Sequence, residues 1–205
     1  MKLAAHGATA LAAALFLFGD RAFAADAEAG RAKAQVCTAC HGEGGNSMQP
    51  AVPSIAGQPA QAISTQLFQF REGNRKDPQM SPMAANLSNS EMNDLAAYFS
   101  AQKIAPPKHR TAPANAAAGV ELAKKMNCTQ CHGPALVGQQ HIPRLAGQRA
   151  DYLRAQLKGF KAGTRADMDG NMTAAAQPLS EKDIDTLVDY LAGLEAQSAA
   201  AGSSR

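Results

Sequence analysis

Tryptophan is absent from the 205 residues, and aromatic side chains of any kind make up only 5% of them. Aromatics ordinarily supply much of the buried bulk of a core, so something other than side chains has to fill this one. Charge of a single sign is lacking too, with 20 Lys and Arg against 17 Asp and Glu. That balance excludes the strong cationic field of a nucleic-acid-binding protein. Charged residues amount to 18% and mean hydropathy is -0.26, which excludes both a disordered chain and a polytopic membrane protein. The length allows one domain or two small ones.

Long hydrophobic runs are also missing. Ala8 to Gly19 is apolar over only 12 residues, short of the roughly 20 that span a bilayer. Lys2 precedes this run, and Ala22-Phe23-Ala24 follows it with small residues at a cleavage position. That order is a secretory signal peptide. Residues 1–24 are therefore expected to be removed before Ala25, giving an exported, periplasmic product.

Cysteine is scarce, and its spacing is specific. Cys37-Thr38-Ala39-Cys40-His41 and Cys128-Thr129-Gln130-Cys131-His132 use all four cysteines. An exported chain with an even cysteine count first suggests disulfides, but two CxxCH pentapeptides read as covalent haem attachment. Two thiols can reach the two vinyl groups on one porphyrin edge, and the adjoining histidine can turn onto the iron. A redox CxxC wants a strand context that is absent here, and two cysteines with one histidine are one ligand short of tetrahedral zinc. Two covalently bound haem c groups, containing iron, would supply the missing aromatic mass.

The second pentapeptide belongs to a longer repeat. Ile55-Ala56-Gly57-Gln58 matches Leu145-Ala146-Gly147-Gln148, and Ile63, Leu67, Phe70 and Gly73 match Leu153, Leu157, Phe160 and Gly163, all at an offset of 90. Leu87-Ser88, Leu95 and Tyr98 match Leu179-Ser180, Leu187 and Tyr190 at 92. The chain is thus expected to hold two similar domains, residues 25–112 and 113–205, joined by a Pro- and Ala-rich linker at about 103–118. Each is small enough to benefit from a covalent staple.

Within each half the apolar spacing is helical. Asp26 can cap a helix leading to Cys37, and Ala114 to Met126 forms its counterpart. Ile63, Leu67 and Phe70, like Leu153, Leu157 and Phe160, follow i, i+4, i+7 and end at Gly73 or Gly163. Ser88 with Glu91 and Ser180 with Asp183 have capping-box spacing before a last amphipathic helix. The fold class is all-α.

His41 and His132 are the expected axial ligands on one side of each iron, with the other ring nitrogen held by a neighbouring oxygen. A methionine opposite would raise the potential and close the iron to small molecules. Met80 and Met172 each lie eight residues before a capping serine, Ser88 and Ser180, and are the expected ligands. Met83 is the alternative to Met80. His109 in the linker and His141 in a loop have no twin and are expected in solvent.

The two CxxCH motifs, the repeated Pro-x-(Ile/Leu)-Ala-Gly-Gln at Pro53 to Gln58 and Pro143 to Gln148, the Met-to-Leu-Ser spacing and the closing aromatic helix resemble the cytochrome c4 family. That resemblance implies two tandem class I cytochrome c domains, each a small helical bundle around one haem. It further implies that Pro53 and Pro143 offer carbonyls to His41 and His132. Gly30 and Gly119 would let the first helix of each half approach the last near Tyr98 and Tyr190. The residues from 25 to 112 carry eight basic and seven acidic side chains, and those from 113 to 205 carry ten and nine, so charge nominates no docking face.

The expected function is electron carriage rather than catalysis, from a quinol-oxidising or dehydrogenase donor to a haem-copper oxidase or reductase. No nucleic acid is expected as a partner, and peripheral membrane association is compatible with the sequence. The alternatives are an electron-transfer subunit of a larger oxidoreductase, and a haem peroxidase in which one iron lacks its methionine.

Overall fold

The computed structural model describes residues 25–196, and the expected signal peptide lies outside them. The first half runs α1 (Ala27–Lys33), α2 (Gln35–His41), α3 (Ala60–Arg71), α4 (Met80–Ala84) and α5 (Asn89–Ser100). The second runs α6 (Pro113–Lys125), α7 (Cys128–His132), α8 (Ala150–Lys161), α9 (Asn171–Ala176) and α10 (Glu181–Gly193). Among the described residues the only β pairing is an isolated bridge between Gln139 and Ile142. The architecture is all-α, as the periodicity predicts.

Local chemistry sets the helix ends. The Asp26 carboxylate accepts the N–H groups of Glu28 and Ala29 at the start of α1, satisfying donors that the first turn leaves free. Both expected capping boxes form, Ser88 with Glu91 on α5 and Ser180 with Asp183 on α10. The helix expected to lead straight to Cys37 is instead divided at Ala34, whose N–H bonds Gly30 O while its carbonyl starts α2.

In the first half α5 packs on both α1 and α3, and in the second α10 packs on α6 and α8. The α10 face carrying Ile184, Leu187, Val188 and Leu191 is 0–3% exposed, each such side chain contributing about 1.5–3 kcal/mol by burial. Glycine permits the crossings. A Cβ on Gly30 would sit 2.0 Å from the Asp94 carbonyl oxygen, and one on Gly119 would sit 2.3 Å from Tyr190 Cβ.

The connection differs from expectation in two ways. Helix α6 already begins at Pro113, a residue whose fixed φ suits a first turn, so the extended strap stops at residue 112. His109 is half-buried rather than free in solvent, because its Nε2 lies 2.6 Å from Asp189 Oδ1. Asp189 also accepts Ala112 N–H at 2.9 Å and Asn115 Nδ2 at 3.0 Å. One carboxylate on α10 thereby fastens the strap to the second half. His141 is exposed.

Candidate functional site

Each cysteine pair occupies one short helix. In α2, Cys37 is half-buried and Cys40 exposed, and α7 repeats this with Cys128 and Cys131. No disulfide joins any two of the four. Burial pushes the Cys37 and Cys128 thiols up from their ordinary pKa, against a smaller backbone hydrogen-bond effect. A redox CxxC depends on the opposite shift. Among the described residues no group of three or more His, Cys, Asp and Glu side chains gathers as a metal cage.

The helical turn that exposes the second cysteine directs the next residue inward. His41 is 6% exposed and His132 4%. His41 Nδ1 lies 2.9 Å from the Pro53 carbonyl, and His132 Nδ1 lies 2.7 Å from that of Pro143. A carbonyl can only accept, so Nδ1 carries the proton and Nε2 keeps its lone pair. Burial holds both imidazoles below their ordinary pKa, outweighing the opposing pull of the proline carbonyls. Each ring is thus a neutral imidazole with one nitrogen fixed and the other available to a metal.

The methionines come from separate elements. Met80 opens α4 and Met172 lies in the first turn of α9, both partly buried. Met172 packs against the second core. Met83, on the same short helix as Met80, is 46% exposed. Of the others, Met92 is core at 3%, whereas Met48 and Met168 are 62% and 69% exposed.

Three features of the site escaped the sequence reading. Asp77 Oδ1 accepts Met80 N–H at 2.8 Å, and Asp167 Oδ2 accepts Met172 N–H at 2.7 Å. The signal for these was the repeat itself, since the two aspartates stand 90 apart. A second feature is an arginine pair at the same offset. Arg75 stacks 4.5 Å from the Phe70 ring centroid and Arg165 4.4 Å from that of Phe160. Arg75 also donates to Tyr152 Oη and Gln156 Oε1 of the other half, both at 3.1 Å.

The third is Arg144, 1% exposed, whose guanidinium donates to Ala146 O and across the domain contact to Ala56 O. Its twin position holds Ser54. Burial pushes the pKa of Arg144 and that of Arg165 down to about 10.

These arginines test whether a haem suits the fold. The buried Nε atoms of Arg144, Arg149 and Arg165 have no acceptor, and among the described residues none of the three pairs with a carboxylate. Buried donors of this kind are costly unless matched. A haem brings two propionate carboxylates, the acceptors this donor set lacks, and so the residues present fit it.

Comparison with known proteins agrees. The Cytochrome c family model matches residues 27–103 and again 116–195. The chain is 40% identical to cytochrome c4 of Pseudomonas aeruginosa over 181 residues, 83% of this chain and 90% of that protein. It is 37% identical to the thiosulfate dehydrogenase electron acceptor of Thiomonas intermedia, covering 78% of this chain and 79% of that one. The crystal structure of reduced recombinant cytochrome c4 from Pseudomonas stutzeri superposes with a TM-score of 0.78 at 38% identity, over 84% of this chain and 100% of that one. A chain that repeats one haem-attachment unit and follows these carriers along most of its length belongs to the cytochrome c4 family, as an electron-transfer protein rather than an enzyme, with one haem c on Cys37 and Cys40 and another on Cys128 and Cys131.

Proposed function

We propose that the protein is a periplasmic electron carrier, with His41 and Met80 as axial ligands of the first haem iron and His132 and Met172 as those of the second. The observation that carries this reading is the buried histidine of each CxxCH helix, its Nδ1–H already engaged by a proline carbonyl. When bound, each haem supplies one reversible electron through its iron. The chain's part would be to hold the imidazole of His41 or His132 in one tautomer, offer the thioether of Met80 or Met172, and keep water from the iron. Electrons would enter from a quinol-oxidising complex or a dehydrogenase and leave to a haem-copper oxidase or a reductase. The dehydrogenase donor draws support from the relative named as a thiosulfate dehydrogenase electron acceptor. That relative also supports the second reading, an electron-transfer subunit of a larger oxidoreductase.

Export rests on the signal-like residues 1–24, with residues 25–112 and 113–205 as the two mature domains. No helix among the described residues is long and apolar enough to cross a membrane, and peripheral association is compatible with that.

A redox titration of the mature protein under carbon monoxide tests the carrier reading. Two haems that titrate without binding carbon monoxide are expected. A haem that binds it in the native reduced state would favour the peroxidase alternative. Cell fractionation with N-terminal sequencing tests export, with Ala25 as the expected first residue. Copurification with a catalytic partner would favour the subunit reading.

A further inference from the structure

The two halves touch through a reciprocal pair of glutamines. Gln58 and Gln148 are 6% and 4% exposed. Gln58 crosses to the second half and brackets Arg144, accepting its N–H through Oε1 at 2.8 Å and donating from Nε2 to its carbonyl at 3.1 Å. Gln148 crosses the other way and brackets Ser54, accepting its N–H at 2.8 Å and donating to its carbonyl at 2.9 Å.

The N–H of Arg144 belongs to the same peptide group as the carbonyl of Pro143, and the N–H of Ser54 to the same group as that of Pro53. These are the carbonyls that hold His132 and His41. Two unbroken chains result. One runs from His132 Nδ1–H through the Pro143–Arg144 peptide to Gln58, and the other from His41 Nδ1–H through the Pro53–Ser54 peptide to Gln148. Each histidine is therefore tied, through a single shared peptide, to a side chain of the opposite domain.

We propose that Gln58 and Gln148 are crossed positioning residues, Gln58 setting the electron-donating strength of His132 and Gln148 that of His41. The inference rests on these histidines being axial ligands. Hydrogen bonds in series polarise one another. A peptide whose N–H is engaged places more negative charge on its oxygen, which then draws harder on the imidazole proton. The imidazole becomes the more basic ligand, which favours ferric iron and lowers the potential. Each domain thus tunes the haem of the other.

The two chains are not equal. Gln148 Oε1 also accepts the N–H of Arg149 at 2.9 Å, dividing its acceptor capacity. The residue after Gln58 is Pro59, which has no N–H, so Gln58 Oε1 serves Arg144 alone. The influence of Gln58 on the second haem is the stronger.

The test uses the full-length dihaem protein and its Gln58→Leu, Gln148→Leu and Gln58→Glu variants. Both midpoint potentials are measured, and NMR of haem methyl and histidine ring protons assigns each to its domain. Gln58→Leu is expected to raise the potential of the second haem and shift the His132 Nδ1–H resonance, leaving the first haem in place. Gln148→Leu should do the same, less strongly, to the first haem and His41. Gln58→Glu keeps an acceptor for the Arg144 N–H, gives up the donor to its carbonyl and adds charge, so the second potential should fall, with a shifted His132 Nδ1–H resonance distinguishing the hydrogen-bond chain from charge alone; it serves also if the leucine variants do not fold.

Shifts confined to the variant's own domain, equal shifts at both haems, or no shift would overturn the proposal. So would a fall in the leucine variants, the sign of water entering a loosened contact. The ligand reading is checked separately in the unsubstituted protein. Absence of hyperfine-shifted His41 and His132 ring protons overturns that reading, whereas their presence with uncrossed potentials overturns only the coupling.

Discussion

Asp167 accepts the backbone N–H of Met172 at 2.7 Å, and its other oxygen takes the N–H and hydroxyl of Thr173 at 3.2 and 2.9 Å. Five residues separate Asp167 from Met172 but only three separate Asp77 from Met80, so two loops of different length end on the same carboxylate clasp. The clasp acts as a cap on the first turn of α9. Asp167→Ala should cost about 1–2 kcal/mol and weaken the sulfur-to-iron absorption band of the second haem. A thermal melt followed in that band measures both. An unchanged band at every temperature below unfolding would mean that the carboxylate does not position Met172.

Replacing the thioethers themselves separates the ligand assignments. Met172→Ala should leave both haems attached and open the second iron to carbon monoxide, because the thioether links to Cys128 and Cys131 do not depend on it. Met80→Ala should do the same at the first iron, while Met83→Ala, at a side chain 46% exposed, should leave it closed. Carbon monoxide binding by the Met83 variant alone would reverse the order of the two candidates.

Helix crossing gives a stability prediction. Gly30→Ala would set a methyl 2.0 Å from the Asp94 carbonyl oxygen, and since backbone must move to admit it, destabilisation of about 1–3 kcal/mol is expected. Gly119→Ala meets Tyr190 Cβ at 2.3 Å and should cost a similar amount. Denaturant titration of the holoprotein reports it, and wild-type midpoints would show that the helices can part without loss.

Acid should release the strap. Burial opposes ionisation of Asp189, but hydrogen bonds from Asn115, His109 and the Ala112 N–H prevail and hold its pKa below the ordinary 3.8. A carboxyl depressed in the folded state stabilises fully above its unfolded pKa, and that stabilisation is lost as pH falls through the folded value. The strap should therefore stay fastened at neutral pH and loosen only below about 3.8. Asp189→Asn should loosen it at neutral pH, read as faster proteolysis between residues 103 and 112. Equal cleavage rates for variant and parent at pH 7 would remove Asp189 from this role.

What the sequence discloses is mostly local or repeated. The capping boxes at Ser88 and Ser180 need four consecutive residues, the α10 stripe needs thirteen, and the haem attachment needs five. Gly30 and Gly119 are legible through the family resemblance, and the structure gives their contacts. The clasp of Asp77 and Asp167 was repeated but carried no pattern, since an aspartate before a loop has many uses. The bracket of Gln58 on Arg144 joins residues 86 apart, and no periodicity encodes a contact of that separation. His109 departs from its solvent-exposed expectation for the same reason, its partner Asp189 lying 80 residues away.

The fastened strap changes what the contact between the halves has to achieve. Two separate molecules would meet across that contact by diffusion and would need high affinity to stay together at cellular concentrations. A short tether instead presents each half to the other at an effective concentration on the order of millimolar, and Asp189 shortens the tether further by tying its far end to α10. Association is then unimolecular, so a few glutamine and arginine hydrogen bonds suffice to keep it closed. The contact can therefore rest on polar side chains such as Gln58, Gln148 and Arg144.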